Sequence, residues 1–189
     1  DLGVEDQHLL SIIMRNSGRI DDIVQSVLQL SRGQPPELQI LDLASWFQEF
    51  HEELMDSRQL PRDRFRLAID ADTPAVRVNA GHLHQILANL CDNAIKHAGT
   101  LDRPAHLYLN VGRLVATAGA FIELRDDGAR IDPEIAREMF TPFFTTSVKG
   151  TGLGLYIALE LAAINDIRLE YQAIPEGGNS FHLSFPPVA

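Results

Sequence analysis

The sequence predicts an α/β (α+β) two-layer sandwich, a mixed sheet with helices on one face, preceded by a separate helix. Three observations carry this expectation. Apolar residues recur at helical spacing over residues 7–31 and again over 80–97. The runs "AHLYLNVGRL", "GAFIELRDD", "IRLEYQA" and "NSFHLSF" read as strands close enough in sequence to pair locally. Helical stretches lie between them, which puts helices and sheet into two layers.

In chain order, residues 7–31 place Leu9, Ile13, Asn16, Ile20, Ile23, Val27 and Leu30 at alternating steps of four and three, the seam of a helix packed in a bundle or coiled coil. Asn16, the polar member, either fixes register between paired helices or lies at a wet edge. Met14, Val24 and Leu28 widen the stripe and favour a four-helix bundle, which one helix cannot form alone. Gly33 suits a C-terminal cap and Pro35-Pro36 cannot continue the hydrogen-bond ladder, so two units are expected, residues 1–33 and 34–189.

Beyond that boundary Asp42 can cap a helix carrying Leu43, Trp46, Phe47, Phe50 and Leu54 on one face, followed by short strands in "RFRLAID" and "AVRVN". Asn79 caps a long helix reaching about His97. After the next two strands, Asp132-Pro133 opens a short helix and Gly152 another. The last two strands form a hairpin through Glu176-Gly177-Gly178.

With 189 residues the chain can hold one good core or a small domain with an appendage. A net charge of -10 argues against nucleic acid as a partner, because phosphate-backbone binding depends on Lys and Arg displacing counterions. The single cysteine, Cys91, cannot form an intrachain bridge, which fits a reducing compartment. No apolar run approaches the ~18 residues of a membrane span. The chain starts at Asp1 without an initiator Met, so a fragment is expected, with membrane, sensing or catalytic parts upstream.

The chemistry gathers in three places. On the helix from residue 80, Leu83, Leu87, Leu90 and Ala94 make the core stripe, while Gln85, Asn89, Asn93 and Lys96 line another face. Carboxamides one turn apart, with a lysine beyond, can offer oxygens to a hard cation and an ammonium to phosphate. A solvated helix face would look similar. "LRDDGARID" runs from a strand into a tight turn at Gly128, where Asp126 could accept a hydrogen bond from an exocyclic amine, or simply belong to a turn. "EMFTPFFTTSVKGTGLGL" reads as a mobile lid. Its Gly150, Gly152 and Gly154 let backbone approach an anion at a helix N-terminus, and phosphate is the natural guest. Leu155 and Ile157 stand where a dinucleotide fingerprint or protein-kinase loop would need glycine, and no P-loop is present.

Together these segments resemble the catalytic ATP-binding half of bacterial sensor histidine kinases, within the ATP-binding superfamily that includes gyrase, Hsp90 and MutL. "QILANLCDNAIKHA" is similar to the N box, "DDGARI" to the first glycine box, "MFTPFF" to the F box, "GTGLGL" to the second glycine box, and "EGGNSFHLSF" to the terminal strand pair. Within the family, "VLQLSRG", "LDLASWFQEF" and "FFTTSVKGTGLGLYIALEL" look closest to PilS-like sensors paired with regulators of type IV pilus genes.

The resemblance implies ATP and Mg²⁺ as cofactors. It makes Asn93 the magnesium ligand, with Asn89 and Lys96 catalytic and facing the phosphates. Asp126 would read the adenine amine in a pocket shaped by Gly128. Thr145, Thr146 and Lys149 of the lid, with Gly150, Thr151, Gly152, Leu153 and Gly154, would enclose the triphosphate. Phe140, Phe143 and Phe144 would anchor the lid or be plain core, and Asn179 and Ser180 are weaker candidates near the base. Residues 1–33 would be the second helix of the dimerisation and histidine-phosphotransfer hairpin. A homodimeric full-length inner-membrane protein, with this portion cytoplasmic and a response-regulator receiver domain as partner, is also implied.

Several positions depart from the family pattern. The superfamily's ATPases carry a glutamate one turn before the magnesium asparagine; here Asn89 stands there and cannot accept a proton, which disfavours water attack. The phosphoacceptor histidine is absent, and "HEEL" at His51 lacks the Arg-Asn-Pro continuation, so the fragment is not expected to phosphorylate itself. Arg130 replaces a usual glycine, so either the turn differs or Arg130 reaches toward the ligand. Ser147 stands where a lid lysine is common. Arg130 also keeps open a competing reading, a degenerate nucleotide-binding or dimerisation module that regulates a partner without phosphotransfer.

Overall fold

The computed structural model describes residue 6 and residues 37–99, 105–147 and 150–188. The helical seam of residues 7–31, the boundary at Pro35-Pro36 and Lys149 lie outside the described residues. Along the chain the elements are β1 (Gln39–Leu41), α1 (Leu43–Arg58), β2 (Phe65–Ile69), β3 (Val76–Val78), α2 (Ala80–His97), β4 (Leu107–Arg113), β5 (Ala120–Asp126), α3 (Pro133–Glu138), α4 (Gly154–Ile164), β6 (Arg168–Ala173) and β7 (Asn179–Ser184).

Among the described residues the main sheet has five strands in the order β2-β4-β5-β7-β6. Only β2 and β4 run parallel; the other neighbours are antiparallel. This is the predicted mixed sheet. Parallel neighbours cannot be joined by a tight turn, and the β2-to-β4 crossover carries β3 and α2. β3 pairs instead with β1 in a separate antiparallel ribbon. β1 was not predicted; it is defined by pairing with β3, more than thirty residues away.

Alternation within β5 decides which side chains reach the interior. Ala120, Ile122, Leu124 and Asp126 form its buried row, while Phe121, Glu123 and Arg125 are half-buried on the other face. Asp126 is thus the polar end of a core-facing row. Asn179 opens the matching row of β7, ahead of Phe181 and Leu183, and the register sets Asn179 opposite Asp126. These rows share one hydrophobic core with Phe47, Phe50 and Leu54 of α1, Leu83, Leu87 and Leu90 of α2, and Ile157 and Leu161 of α4.

The helix ends follow their caps. Asp42 accepts from the Ser45 N–H at 2.8 Å and Asn79 from the His82 N–H at 2.9 Å, as the sequence predicts. Asn79 also donates its own N–H to Oδ1 of Asn165, whose Nδ2 bonds the Leu161 carbonyl, so the start of α2 is tied to the end of α4. Asn79→Ala removes the side-chain cap and is expected to lower stability by about 1 kcal/mol in a denaturant titration. The helix expected from Gly152 begins at Gly154, because Gly152 has φ +71° and cannot be helical.

Candidate nucleotide-binding site

A cleft of about 680 Å³ lies between the polar face of α2, the chain from Ala129 through α3, and the segment leading into α4. Gln85, Asn89, Asn93 and Lys96 line the first wall, as their spacing predicts. Asp92 and His97, absent from the predicted set, line it too; their steps of three and four from Asn89 and Asn93 were the available signal. Thr145, Thr146, Gly150, Thr151, Gly152 and Gly154 face this wall across the same cleft. The amide-bearing helix and the glycine junction therefore meet.

The α2 wall is not electrostatically closed. Gln85 Nε2 donates to Asn89 Oδ1 at 3.1 Å, and among the described residues none accepts from the buried Asn89 Nδ2. A buried unpaired donor costs roughly 1–3 kcal/mol, so Asn89 Nδ2 gains from an acceptor such as a phosphate oxygen. Arg58 forks onto Asp92 at 2.7 and 3.0 Å, and Lys96 Nζ lies 3.8 Å from the same carboxylate while its side chain is 67% exposed. Lys96 is thus only loosely held and within reach of an anion. Burial and the neighbouring Lys96 charge push the His97 imidazole below its usual range. Among the described residues no group of three His, Cys, Asp or Glu side chains converges on a metal position. A cation here would depend on the Asn93 carboxamide and on oxygens of the bound ligand.

Behind the second wall sits Asp126, 5% exposed. Its Oδ1 accepts from the Gly128 N–H at 3.0 Å and from Asn179 Nδ2 at 3.0 Å. Burial pushes the carboxyl above its usual range, and the bonds from Asn179 and Gly128 oppose that shift. Gly128 packs directly under the end of α2: a Cβ there would lie 1.9 Å from the Ala98 carbonyl oxygen. Neither Asp126 nor Gly128 lines the cleft in this structure. They connect to the lining residues Ala129 and Ile131 through Asn179.

The lid has a defined neck. The Phe143 N–H donates to the Gly152 carbonyl at 2.9 Å, and both residues have positive φ, 67° and 71°. A Cβ on Gly152 would lie 2.4 Å from the Phe143 carbonyl carbon, so glycine is required twice over, for conformation and for space. The left-handed turn swings Phe143 outward, 62% exposed, so it does not anchor the lid, whereas Phe140 and Phe144 pack against the core. Leu153 is also a correction: its side chain is buried in the core and does not face the cleft. α4 starts with no side-chain cap, leaving first-turn N–H groups uncapped beside Gly152.

Arg130 resolves its two alternatives. It is not among the residues with positive φ, so the turn differs from one built on glycine. Its guanidinium donates to the Pro175 carbonyl on the β6–β7 turn while the residue still lines the cleft. Ser180, one residue after Asn179, points to the opposite sheet face and bonds Glu123 Oε1 at 2.9 Å, so it does not belong to the site.

A two-layer sandwich whose amide-lined helix faces a glycine-necked lid across one cleft defines an ATP-binding domain of the α/β type. The chain belongs to the histidine kinase-, DNA gyrase B- and HSP90-like ATPase family, whose model matches residues 78–189. The sensor protein kinase PilS of Pseudomonas aeruginosa is 34% identical over 185 residues, covering 98% of this chain and 35% of PilS. The chain spans well under half the length of the curated relatives it matches. Full-length ShkA in complex with AMPPNP superposes with a TM-score of 0.75 at 20% identity, over 98% of this chain and 40% of ShkA. Histidine kinase ThkA, in complex with response regulator protein TrrA, gives 0.72 at 22% identity, over 100% of this chain and 53% of that one. These two structures share the fold.

Proposed function

We propose that this chain is the ATP-binding catalytic domain of a sensor histidine kinase, and that in a longer protein it passes the γ-phosphate of ATP to a histidine on a hairpin helix. The observation that carries this reading is the buried Asn89 Nδ2, unpaired among the described residues, in a cleft shared with Asn93, Lys96 and the glycine junction. In the transfer, an imidazole nitrogen bonds to the γ-phosphorus, the bond to the β-phosphate oxygen breaks, ADP leaves, and the imidazole loses its proton. A neutral imidazole is already nucleophilic, so the domain mainly positions the phosphates and offsets their charge.

Asn89 Nδ2 and Lys96 donate to phosphate oxygens, and the Thr145, Thr146 and Thr151 hydroxyls with the uncapped start of α4 surround them from the lid side. Lys149 adds a charge on the lid in this reading. Mg²⁺, held by Asn93, supplies neutralisation of the phosphate oxygens when bound. Residues 1–33 supply the second hairpin helix, and the acceptor histidine comes from its missing partner in a homodimer. The complex of ThkA with response regulator protein TrrA supports relay to a receiver-domain aspartate, and the type IV pilus system and inner-membrane anchor implied by the sequence resemblance belong to the same reading. Arg130 lines the cleft with its guanidinium held by the Pro175 carbonyl, and the chemistry of the other wall favours the kinase over the non-catalytic module.

The test is Mg²⁺-dependent ATP binding to the chain, followed by transfer to a supplied hairpin bearing the acceptor histidine. Binding with transfer is expected; tight binding without transfer would reject the kinase assignment. Asn89→Glu should leave adenine recognition intact and raise acceptor-independent phosphate release by about 10- to 100-fold, toward the lower range for a placed general base. An unchanged release rate would reject the role given to Asn89.

A further inference from the structure

Arg58 is the last residue of α1, and Asp92 lies on α2, 34 positions further along the chain. Arg58 Nε donates to Asp92 Oδ1 at 2.7 Å and Nη2 to Oδ2 at 3.0 Å, so one planar guanidinium occupies both carboxylate oxygens. Asp92 lines the cleft, whereas Arg58 is not among the lining residues and reaches the carboxylate from α1.

Lys96 stands one turn beyond Asp92 on the same helix, the spacing at which an acid and a base normally pair. Here Lys96 Nζ stops 3.8 Å from Oδ2, beyond hydrogen-bond length. The fork accounts for the gap. Both Asp92 oxygens already accept charge-assisted bonds from Arg58, whose rigid donors match a carboxylate better than a rotating ammonium does, so little attraction remains to draw Lys96 down. Asp92 also precedes Asn93 directly, and without a counter-charge its carboxylate would repel the phosphate oxygens that Asn89 and Lys96 face.

We propose that Arg58 is a positioning residue for phosphate binding: by occupying and neutralising Asp92, it keeps Lys96 free to meet the triphosphate and removes a carboxylate's repulsion from the cleft wall. This rests on the nucleotide-binding reading above. Without Arg58, Lys96 closes onto Asp92 and the site loses its cation to an internal ion pair. Arg130 and Asp132, the other charged residues that line the cleft among those described, belong to the chain facing α2 and cannot take over. Spacing within α2 pairs Asp92 with Lys96 and hides Arg58, because the fork joins two helices. A purely structural brace between α1 and α2 would act differently: its loss would weaken binding of every ligand, charged or not.

The experiment measures binding of Mg-ATP, and of adenosine by competition, to the 189-residue chain at about 50 and 300 mM salt. Arg58→Ala should lower ATP affinity by about five- to tenfold at the lower salt and by less at the higher, with adenosine affinity kept within about twofold. Made in an Asp92→Asn background, the same replacement should cost less than about twofold, since no carboxylate is left to capture Lys96. If the alanine variant does not fold, Arg58→Gln, which keeps the stem and loses the charge, should show the same contrasts. Equal losses of ATP and adenosine, a loss of equal size on both backgrounds, or an unchanged ATP affinity in a folded Arg58 variant overturns the role of Arg58. A parent that binds neither ATP nor adenosine overturns the nucleotide site itself.

Discussion

Asn93→Ala is expected to lower Mg²⁺-dependent ATP affinity by about 100-fold or more while leaving the fold intact, measured by titration calorimetry with and without Mg²⁺. Asn93 lines the cleft one turn beyond Asn89, and no cluster of acidic or imidazole ligands among the described residues can replace its carboxamide oxygen. The alanine stays on the polar side of α2, whose core-facing side chains Leu87, Leu90, Cys91 and Ala94 are untouched, so stability should change by less than about 1 kcal/mol. The loss should be confined to the metal-dependent part of binding. An equal loss in the absence of Mg²⁺ would count against a metal role for Asn93.

Gly128→Ala is expected to lower stability by about 3 kcal/mol and to abolish detectable ATP binding. The added Cβ would fall 1.9, 2.5 and 2.6 Å from the oxygen, carbonyl carbon and Cα of Ala98, all backbone atoms at the end of α2, so no rotamer change can relieve it. Either the turn lifts away from the helix or the last turn of α2 moves. The first displaces the Gly128 N–H from Asp126, and the second moves Lys96 and His97. Denaturant unfolding gives the stability change, and the nucleotide titration gives the functional one. Near-parent stability would mean that the contact between turn and helix is looser than the structure shows.

The two replacements probe different kinds of information. The polar face of α2 was legible because a single helix carries it: spacing alone put Gln85, Asn89, Asn93 and Lys96 together, and the caps at Asp42 and Asn79 were local hydrogen bonds written within three residues. Strands β4 to β7, the short helix after Asp132 and the terminal hairpin were legible for the same reason. β1 was not, since its identity depends on β3, more than thirty residues away. Phe143 looked like a lid anchor or a core aromatic, yet the left-handed turn at the lid neck faces it outward.

By itself the sequence determined the elements, their caps and the chemical types in the cleft, because helical and strand periodicity act over a few residues. Tertiary structure decided which of those groups cooperate. It buried Asp126 at the end of a core-facing row, set Asn179 against it across the β5–β7 register, turned Arg130 toward Pro175 and left Asn89 Nδ2 without a partner among the described residues. Hydrogen bonds between residues fifty positions apart exist only after the sheet has closed, and so have no trace in local sequence.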